Sequence, residues 1–171
     1  MKNESFSSKD FNKIVDSWAV DALGNIGVIK ESSLKFEEFK EKIIAQLKAQ
    51  YSNKAIEKFL NPVDSRQIES PDGFARITGS CGDTLEIYLK VEDKRIIDAS
   101  FQTDGCNPSI AAGGMITELA HGLMTGKARG FTQQDVLDAL GGLPHENEHC
   151  ALLAVNTLNE ALNNIKSNIS S

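Results

Sequence analysis

The sequence predicts an α+β fold, with an antiparallel sheet of three or more strands flanked by helices. Three observations support this prediction: helical periodicity over the first 60 residues, alternation of apolar and polar residues between about 74 and 103, and helical periodicity again from about 108 onward. Strands grouped between runs of helices are typical of α+β domains, whereas single strands alternating with helices would indicate a parallel sheet.

The first 50 residues carry two amphipathic patterns separated by the helix-breaking sequence Gly24-Asn25-Ile26-Gly27. The apolar positions with helical spacing are Phe11, Ile14, Val15, Trp18 and Ala22, followed by Phe36, Phe39, Ile43, Ile44 and Leu47. This segment contains neither cysteine nor histidine. We therefore expect residues 1–50 to be a helical extension that packs on the main domain, residues 51–171, or joins copies of the chain into a homo-oligomer.

The middle of the chain predicts three strands, at about residues 74–80, 85–91 and 95–103. In the second strand, apolar residues alternate with polar ones, which indicates a half-buried strand. A short polar turn, Glu92-Asp93-Lys94, predicts that the second and third strands pair as an antiparallel hairpin. On the third strand, the residues expected to share a buried face are Ile97, Ala99 and Phe101.

Four further helices are predicted from their start and stop signals. One runs from about residue 52 to 60 and ends before Pro62, and one begins at Pro108 and continues to about Met124. Thr132 caps a third, which ends at Gly141-Gly142. The last begins near residue 147, and the residues expected on its apolar faces are Leu152, Val155, Leu158 and Leu162, with Ala151, Ala154 and Ala161 beside them.

Composition excludes several classes of function. The net charge is −6 and no cluster of Lys and Arg is present, which argues against nucleic-acid binding. The amino terminus lacks the apolar core of a secretory signal, and no run of ~18 apolar residues could span a membrane. We therefore expect a cytoplasmic protein that binds neither nucleic acid nor membranes.

The three cysteines, Cys81, Cys106 and Cys150, all fall where predicted elements begin or end. An odd number cannot form a closed disulfide framework, and a reducing compartment would keep the thiols free. Cys81 lies between two strands, whereas Cys106 and Cys150 lie at helix starts, where the helix dipole favours a thiolate. On this argument we expect a lowered pKa at Cys150 and persulfide sulfur to be accepted there.

Asp83 and His149 lie next to these cysteines and add a carboxylate and an imidazole. Soft sulfur ligands with such partners suit zinc, Cu(I) or iron–sulfur clusters, so we expect Cys81, Cys106 and Cys150 to converge on one metal site. A cysteine hydrolase is disfavoured, because adjacent helical side chains, as in His149-Cys150, do not face each other. Inert structural cysteines and a zinc site remain open from the residues alone.

Taken together, these motifs resemble the IscU/NifU-type family of iron–sulfur cluster assembly scaffolds. The resemblance covers about residues 51–168 and rests on Tyr51-Ser52-Asn53-Lys54, Asn61-Pro62, Gly79-Ser80-Cys81-Gly82-Asp83, Phe101-Gln102-Thr103-Asp104-Gly105-Cys106 and His149-Cys150. It implies a scaffold rather than an enzyme, on which Cys81, Cys106 and Cys150 hold iron in a transient 2Fe–2S cluster. By the same resemblance, Asp83 keeps the cluster labile and His149 is an accessory ligand. The implied partners are a cysteine desulfurase, an electron donor such as ferredoxin, and apo iron–sulfur proteins.

Two local sequences depart from the IscU pattern. Gly-Cys-Gly-Ser is replaced by Gly105-Cys106-Asn107-Pro108, and the chaperone motif Leu-Pro-Pro-Val-Lys is replaced by Leu143-Pro144-His145-Glu146-Asn147. Two alternative functions use the same residues. One is a structural or regulatory zinc protein, and the other is a sulfur-transfer protein that uses a single cysteine. Zinc in aerobically purified protein would still be compatible with a scaffold whose physiological metal is iron.

Overall fold

The computed structural model describes residues 30–165 of the 171-residue chain. Its elements are α1 (Lys30–Gln50), α2 (Asn53–Leu60), β1 (Gly73–Thr78), β2 (Thr84–Glu92), β3 (Arg95–Thr103), α3 (Asn107–Ala120), α4 (Thr125–Ala128), α5 (Gln133–Leu140), a 3₁₀ turn at His145–Asn147, and α6 (Glu148–Asn163). The predicted α+β class is confirmed. The helix predicted at residues 11–22 and the break at 24–27 lie outside the described residues. Among the helices of residues 30–165, none is long and apolar enough to cross a membrane.

The sheet has the order β1-β2-β3, and both neighbouring pairs are antiparallel. The turn between β2 and β3 places Asp93 and Lys94 at φ values of 48° and 62°. Two consecutive residues with positive φ give the turn that matches the twist of a hairpin. The predicted hairpin is therefore confirmed, and β1 continues the meander on the other side of β2.

The expected buried face of β3 is wrong at one position. Ala99 and Phe101 are buried, but Ile97 is 47% exposed and Ile96 is fully buried. The pairing of β2 with β3 shifts register between Lys90 and Val91. Because side chains alternate along a strand, an irregularity of one residue moves the following positions to the other face.

Helices α3 and α6 cover one face of the sheet, and the core lies between them and the strands. Helix α3 was predicted to continue to about Met124, but it ends at Ala120. Gly122 adopts a φ of 79°, and its N–H donates to the carbonyl of Ile96 at 2.8 Å, so the chain leaves the helix to pair with the start of β3. Glycine permits this left-handed conformation without strain.

Helices α5 and α6 begin and end close to the predicted positions, but the predicted buried face of α6 needs one correction. Thr132 and Asp135 form a reciprocal capping box on α5, which ends at Gly141 in a left-handed conformation. On α6, the expected face is wrong at Leu152, which is 44% exposed, whereas Leu153 is buried. Leu153 packs against Gly79 in the turn between β1 and β2, so it is the leucine that faces the sheet.

Helix α1 leads into the domain through Tyr51 and Ser52. Ser52 caps α2 by accepting from the N–H of Ala55 at 3.0 Å, and its hydroxyl also donates to the carbonyl of Leu140. On α1 itself, Ile44 and Leu47 are partly buried against the core. The division of the chain at residue 50 stays a prediction.

Candidate metal centre

Asp83 is positioned by the tight turn between β1 and β2. Gly82, at a φ of 92°, makes this turn possible, and the N–H of Gly79 donates to the carbonyl of Asp83 at 2.8 Å. Asp104 binds the same turn to the end of β3, because its carboxylate accepts from the N–H of Thr84 at 2.7 Å. The carboxyl ends of β1 and β3 therefore flank the start of β2 at one edge of the sheet.

Cys106 is the N-cap residue of α3, directly after β3. Pro108 follows in the first turn of the helix, as the sequence predicts. Gly105 lets the two segments approach, since a Cβ atom there would lie 2.6 Å from Asp83 Oδ2 and 2.8 Å from the Cβ of Ser109. The closeness of the Cys81–Asp83 turn and the α3 N-terminus therefore depends on a residue without a side chain.

Cys150 lies in the first turn of α6 and is only 1% exposed. Helix α6 packs against α3, so the N-terminal turns of both helices point toward the Asp83 turn. Within residues 30–165, one group of potential ligands is close enough to share a metal ion: Asp83, Cys106 and Cys150, whose ligand atoms lie within 4.8 Å of one another.

Ser109 links all three members of this group. Its hydroxyl donates to Asp83 Oδ2 at 2.6 Å, and its oxygen lies 3.4 Å from Cys150 Sγ and 3.7 Å from Cys106 Sγ. The N–H of Cys106 also donates to Asp83 Oδ2, at 3.2 Å. The interpretation of the sequence missed Ser109, although its position three residues after Cys106 puts both on one face of the first helical turn.

The hydrogen bonds around Asp83 favour its charged form. The hydroxyl of Ser109 is the main cause that lowers the pKa of Asp83 below its ordinary value, and burial opposes this effect. The N–H and thiol of Cys106 and the thiol of Cys81 lower the pKa further. An ionised carboxylate is the form that can bind a metal ion.

The expectation of a low pKa at Cys150 is wrong for the metal-free protein. Burial raises the pKa of Cys150 to about 12, and the charge of Cys106 acts in the same direction, although the hydrogen bond from Ser109 opposes them. The helix N-terminus does not compensate for the loss of water around this sulfur. At neutral pH Cys150 is therefore a protonated thiol shielded from water.

Cys81 and His149 stand beside the group but are not members of it. Cys81 is exposed on the turn that carries Asp83. His149 Nε2 lies 3.6 Å from Cys150 Sγ, so the argument that these neighbouring side chains cannot meet is wrong. The imidazole is long enough to bridge the angle between adjacent positions at the start of the helix.

Tyr51 borders the centre from the end of α1. Burial is the largest cause that raises the pKa of Tyr51 above its ordinary value, and the neighbouring Cys106 and Glu146 act in the same direction. The ring packs edge-to-face on Phe59, with centroids 5.5 Å apart. In the sequence, Tyr51 was noted only as part of the motif shared with the family. Its neighbouring residues do not indicate that it lies near the cysteines.

The donor set suits a thiophilic metal. Two sulfurs and one carboxylate are already close together, with an imidazole in contact with one of the sulfurs and a third thiol on the adjacent turn. Cys81 and Cys106 are exposed, so the centre opens to the surface rather than into an enclosed cavity. Such a set can bind zinc or the iron of an iron–sulfur cluster.

Fold and site together define a class: an α+β domain with a candidate thiolate–carboxylate centre where two strands end and two helices begin. Residues 50–170 match the model of the family described as NifU-like N terminal domain. The chain belongs to this family, which confirms the resemblance found in the sequence.

Curated relatives agree with this membership. The chain is 42% identical over 113 residues to the iron-sulfur cluster assembly scaffold protein IscU 1 of Archaeoglobus fulgidus, covering 66% of this chain and 74% of that protein. It is 34% identical over 125 residues to IscU of Escherichia coli, covering 68% of this chain and 94% of that protein. The nitrogen fixation protein NifU of a Nostoc species is also 34% identical, and the match covers 68% of this chain but 42% of NifU.

Two solved structures share the fold. The N-terminal part of a nitrogen-fixing NifU-like protein from Brucella abortus superimposes with a TM-score of 0.55 at 17% identity, over 68% of this chain and 94% of that one. A putative iron-sulfur cluster assembly scaffold protein from Fervidobacterium islandicum gives 0.54 at 23% identity, over 66% and 96%. At these identities the likeness supports the fold alone.

Proposed function

We propose that this protein is a non-enzymatic scaffold on which an iron–sulfur cluster, of the 2Fe–2S type, is assembled and then passed to apo-proteins. Cys81, Cys106 and Cys150 supply the sulfur ligands, Asp83 is the fourth ligand, and His149 is an alternate or accessory ligand. The cluster is the cargo of this protein and not a resident cofactor. The proposed partners are a cysteine desulfurase, an electron donor such as ferredoxin, and the recipient apo-proteins, in the cytoplasm, where thiols stay reduced.

The observation that carries this proposal is the grouping of Asp83, Cys106 and Cys150 within 4.8 Å, beside an exposed third cysteine. A ferredoxin, which keeps its cluster, supplies four thiolates to it. Here the chain has only three cysteines, so at least one position must be filled by oxygen or nitrogen. Oxygen is a harder and weaker partner for cluster iron than sulfur, which suits a cluster that has to leave.

The openness of the site supports the same function. Iron, sulfide and an acceptor protein must all reach the cluster, and the exposed thiols of Cys81 and Cys106 lie on the surface. An enzyme for an organic substrate would instead be expected to enclose that substrate in a largely apolar pocket.

Anaerobic reconstitution tests the proposal. The full chain is incubated with ferrous iron, cysteine, a cysteine desulfurase and dithiothreitol, which reduces the transferred persulfide sulfur to sulfide, and is then analysed for iron, acid-labile sulfide and visible absorption. We expect two iron atoms and two sulfides per cluster, and the loss of the visible bands in Cys106→Ala. The Thr157→Val variant is a matched control, since the hydroxyl of Thr157 is buried but bonds only to the carbonyl of Leu153 within α6. Protein that takes up iron without sulfide would contradict the proposal.

Zinc binding is the second candidate, favoured by the contact between His149 and Cys150. Asp83, Cys106 and Cys150 with either His149 or Cys81 would complete a four-ligand zinc site. The metal content of protein isolated without oxygen distinguishes the two candidate functions. Zinc at one equivalent, with no capacity to exchange it for iron and sulfide, would favour a zinc protein.

A further inference from the structure

Ser109 is a buried polar residue at the middle of the candidate centre, and the proposed function gives it no role. It is 2% exposed and lies in the first turn of α3, one helical turn after Cys106. Its single hydroxyl proton faces two acceptors, Asp83 Oδ2 at 2.6 Å and Cys150 Sγ at 3.4 Å. A hydroxyl can donate only one hydrogen bond, and the shorter contact to the charged oxygen is the stronger one.

The hydrogen bonds to Asp83 are unevenly divided between its two oxygens. Both the Ser109 hydroxyl and the Cys106 N–H donate to Oδ2, at 2.6 and 3.2 Å. Oδ1 is therefore the oxygen that neither of these groups engages. A metal that approaches the two sulfurs would meet a carboxylate already fixed in rotation and able to bind through one oxygen.

We propose that Ser109 is a positioning residue that holds Asp83 for one-oxygen binding to the metal. This inference rests on the metal centre of the proposed function and adds a residue to it. Without the Ser109 hydroxyl, Asp83 loses its shortest hydrogen bond and keeps the longer one from the Cys106 N–H at 3.2 Å, so the rotation of the carboxylate is less restricted. Metal binding must then order the Asp83 carboxylate, which lowers the affinity, and the metal can bind both carboxylate oxygens.

Cobalt(II) is a suitable probe, because its visible spectrum reports both binding and coordination number. The reduced full-length protein is titrated with Co²⁺, comparing Ser109→Ala with the wild type. We expect about tenfold weaker binding, the usual effect of losing a hydrogen bond to a charged group. We also expect weaker ligand-field bands, as a second carboxylate oxygen raises the coordination number from four to five. Unchanged affinity and unchanged spectrum would overturn the inference.

A double-mutant cycle separates positioning from a general structural effect. If Ser109 acts through Asp83, the Ser109→Ala change should alter Co²⁺ affinity less than about twofold in an Asp83→Ala background. An equal loss in both backgrounds would overturn the inference. Thr117→Val is the matched control on the same helix, because its buried hydroxyl bonds only the carbonyls of Gly113 and Gly114. It should leave affinity and spectrum unchanged.

A second pair of variants guards against loss of folding in Ser109→Ala. Ser109→Thr and Ser109→Val add the same bulk and differ only in the hydroxyl. We expect Thr to bind Co²⁺ about tenfold more tightly than Val, and equal affinities would overturn the inference. A wild-type protein that binds no Co²⁺ would overturn the metal centre itself, so the two failures are distinguishable.

Discussion

Asp83 combines two properties that the proposed function needs, an ionised carboxylate and a fixed position next to two sulfurs. By the family resemblance it is the labile point of the cluster. We therefore predict that Asp83→Ala still assembles a cluster but releases it more slowly, because His149, 3.6 Å from Cys150 Sγ, replaces the weak oxygen ligand. The measurement is the rate at which visible absorption moves to apo-ferredoxin. Equal or faster transfer in the variant would make Asp83 a turn residue only.

Gly105 is required by the close approach of Asp83 and Ser109. In Gly105→Ala, the new methyl group would lie 2.6 Å from Asp83 Oδ2 and 2.8 Å from the Cβ of Ser109, so the carboxylate must move. We predict about tenfold weaker Co²⁺ binding or more, because the carboxylate leaves its position beside the two sulfurs, and also a lower free energy of unfolding, because the Cβ of Ser109 is fixed to helix α3. Gly126→Ala is the control, since nothing lies within 4 Å of that position. Equal binding by the two variants would contradict the prediction.

Cys150 makes the stability of the metal-free protein depend on pH. Its thiol ionises at a pKa of about 12 in the folded chain and near 9.0 in the absence of the fold. Between these values the folded state binds more protons than the unfolded state, so the free energy of unfolding falls as pH rises from about 9 to 12. We predict a shallower decline in Cys150→Ala, measured by urea unfolding at pH 8, 9 and 10. Parallel curves for the two proteins would refute the prediction.

The sequence pointed to residues that the fold brings close together, but not to their ionisation or hydrogen bonding. Cys106 and Asp83 were recognisable because glycines and element ends surround them. The pKa of Cys150 was not predictable, since it depends on how closely α3 packs over α6. Ser109 was missed for a related reason. A single serine after Pro108 does not indicate a role in the sequence, and only the fold places its hydroxyl 2.6 Å from Asp83 Oδ2.

At the scale of elements, strand and helix positions were predictable, whereas the buried faces near irregularities were not. The alternation in β2 and the Asp93-Lys94 turn were sufficient to predict the hairpin. A one-residue register shift after Lys90 depends on pairing between strands, which a single-strand pattern does not contain. The exposed Ile97 and the early end of α3 both occur where β3 meets the chain around Gly122.

The register shift can be tested with two adjacent isoleucines of β3. Ile96 is fully buried, so Ile96→Ala should cost about 2–5 kcal/mol of unfolding free energy by loss of core packing. Ile97 is 47% exposed, so Ile97→Ala should cost less than about 1 kcal/mol. Urea unfolding of the two variants decides the matter. The opposite ranking would restore the face expected from simple alternation.

At the scale of the whole molecule, the candidate site is assembled from three separate segments. The β1–β2 turn carries the candidate ligands Cys81 and Asp83, the β3–α3 junction carries Cys106, and α6 carries Cys150. Each segment is held by the core, so the ligands approach one another only when the sheet and both helices have packed. Helix α1 contributes none of these ligands, although Tyr51 at its end borders the centre.

Because helix α1 contributes no candidate ligand, the result of removing residues 1–48 can be predicted. The truncation deletes Ile44 and Leu47, which are partly buried against the core, but retains Tyr51 and the Ser52 cap of α2. We expect a loss of about 2 kcal/mol in unfolding free energy, or a change in oligomeric state, since newly uncovered apolar surface destabilises the domain or recruits another copy. Metal binding should persist, because every candidate ligand remains.

The experiment compares three proteins: the full chain, a variant that lacks residues 1–29, and one that lacks residues 1–48. Light scattering after size exclusion gives the oligomeric state, urea unfolding gives the stability, and a Co²⁺ titration gives the affinity. The shorter deletion leaves α1 in place and separates its effect from that of the preceding segment. A protein without residues 1–48 that is folded and assembled like the full chain, yet binds no Co²⁺, would show that α1 supports the centre directly rather than the domain around it.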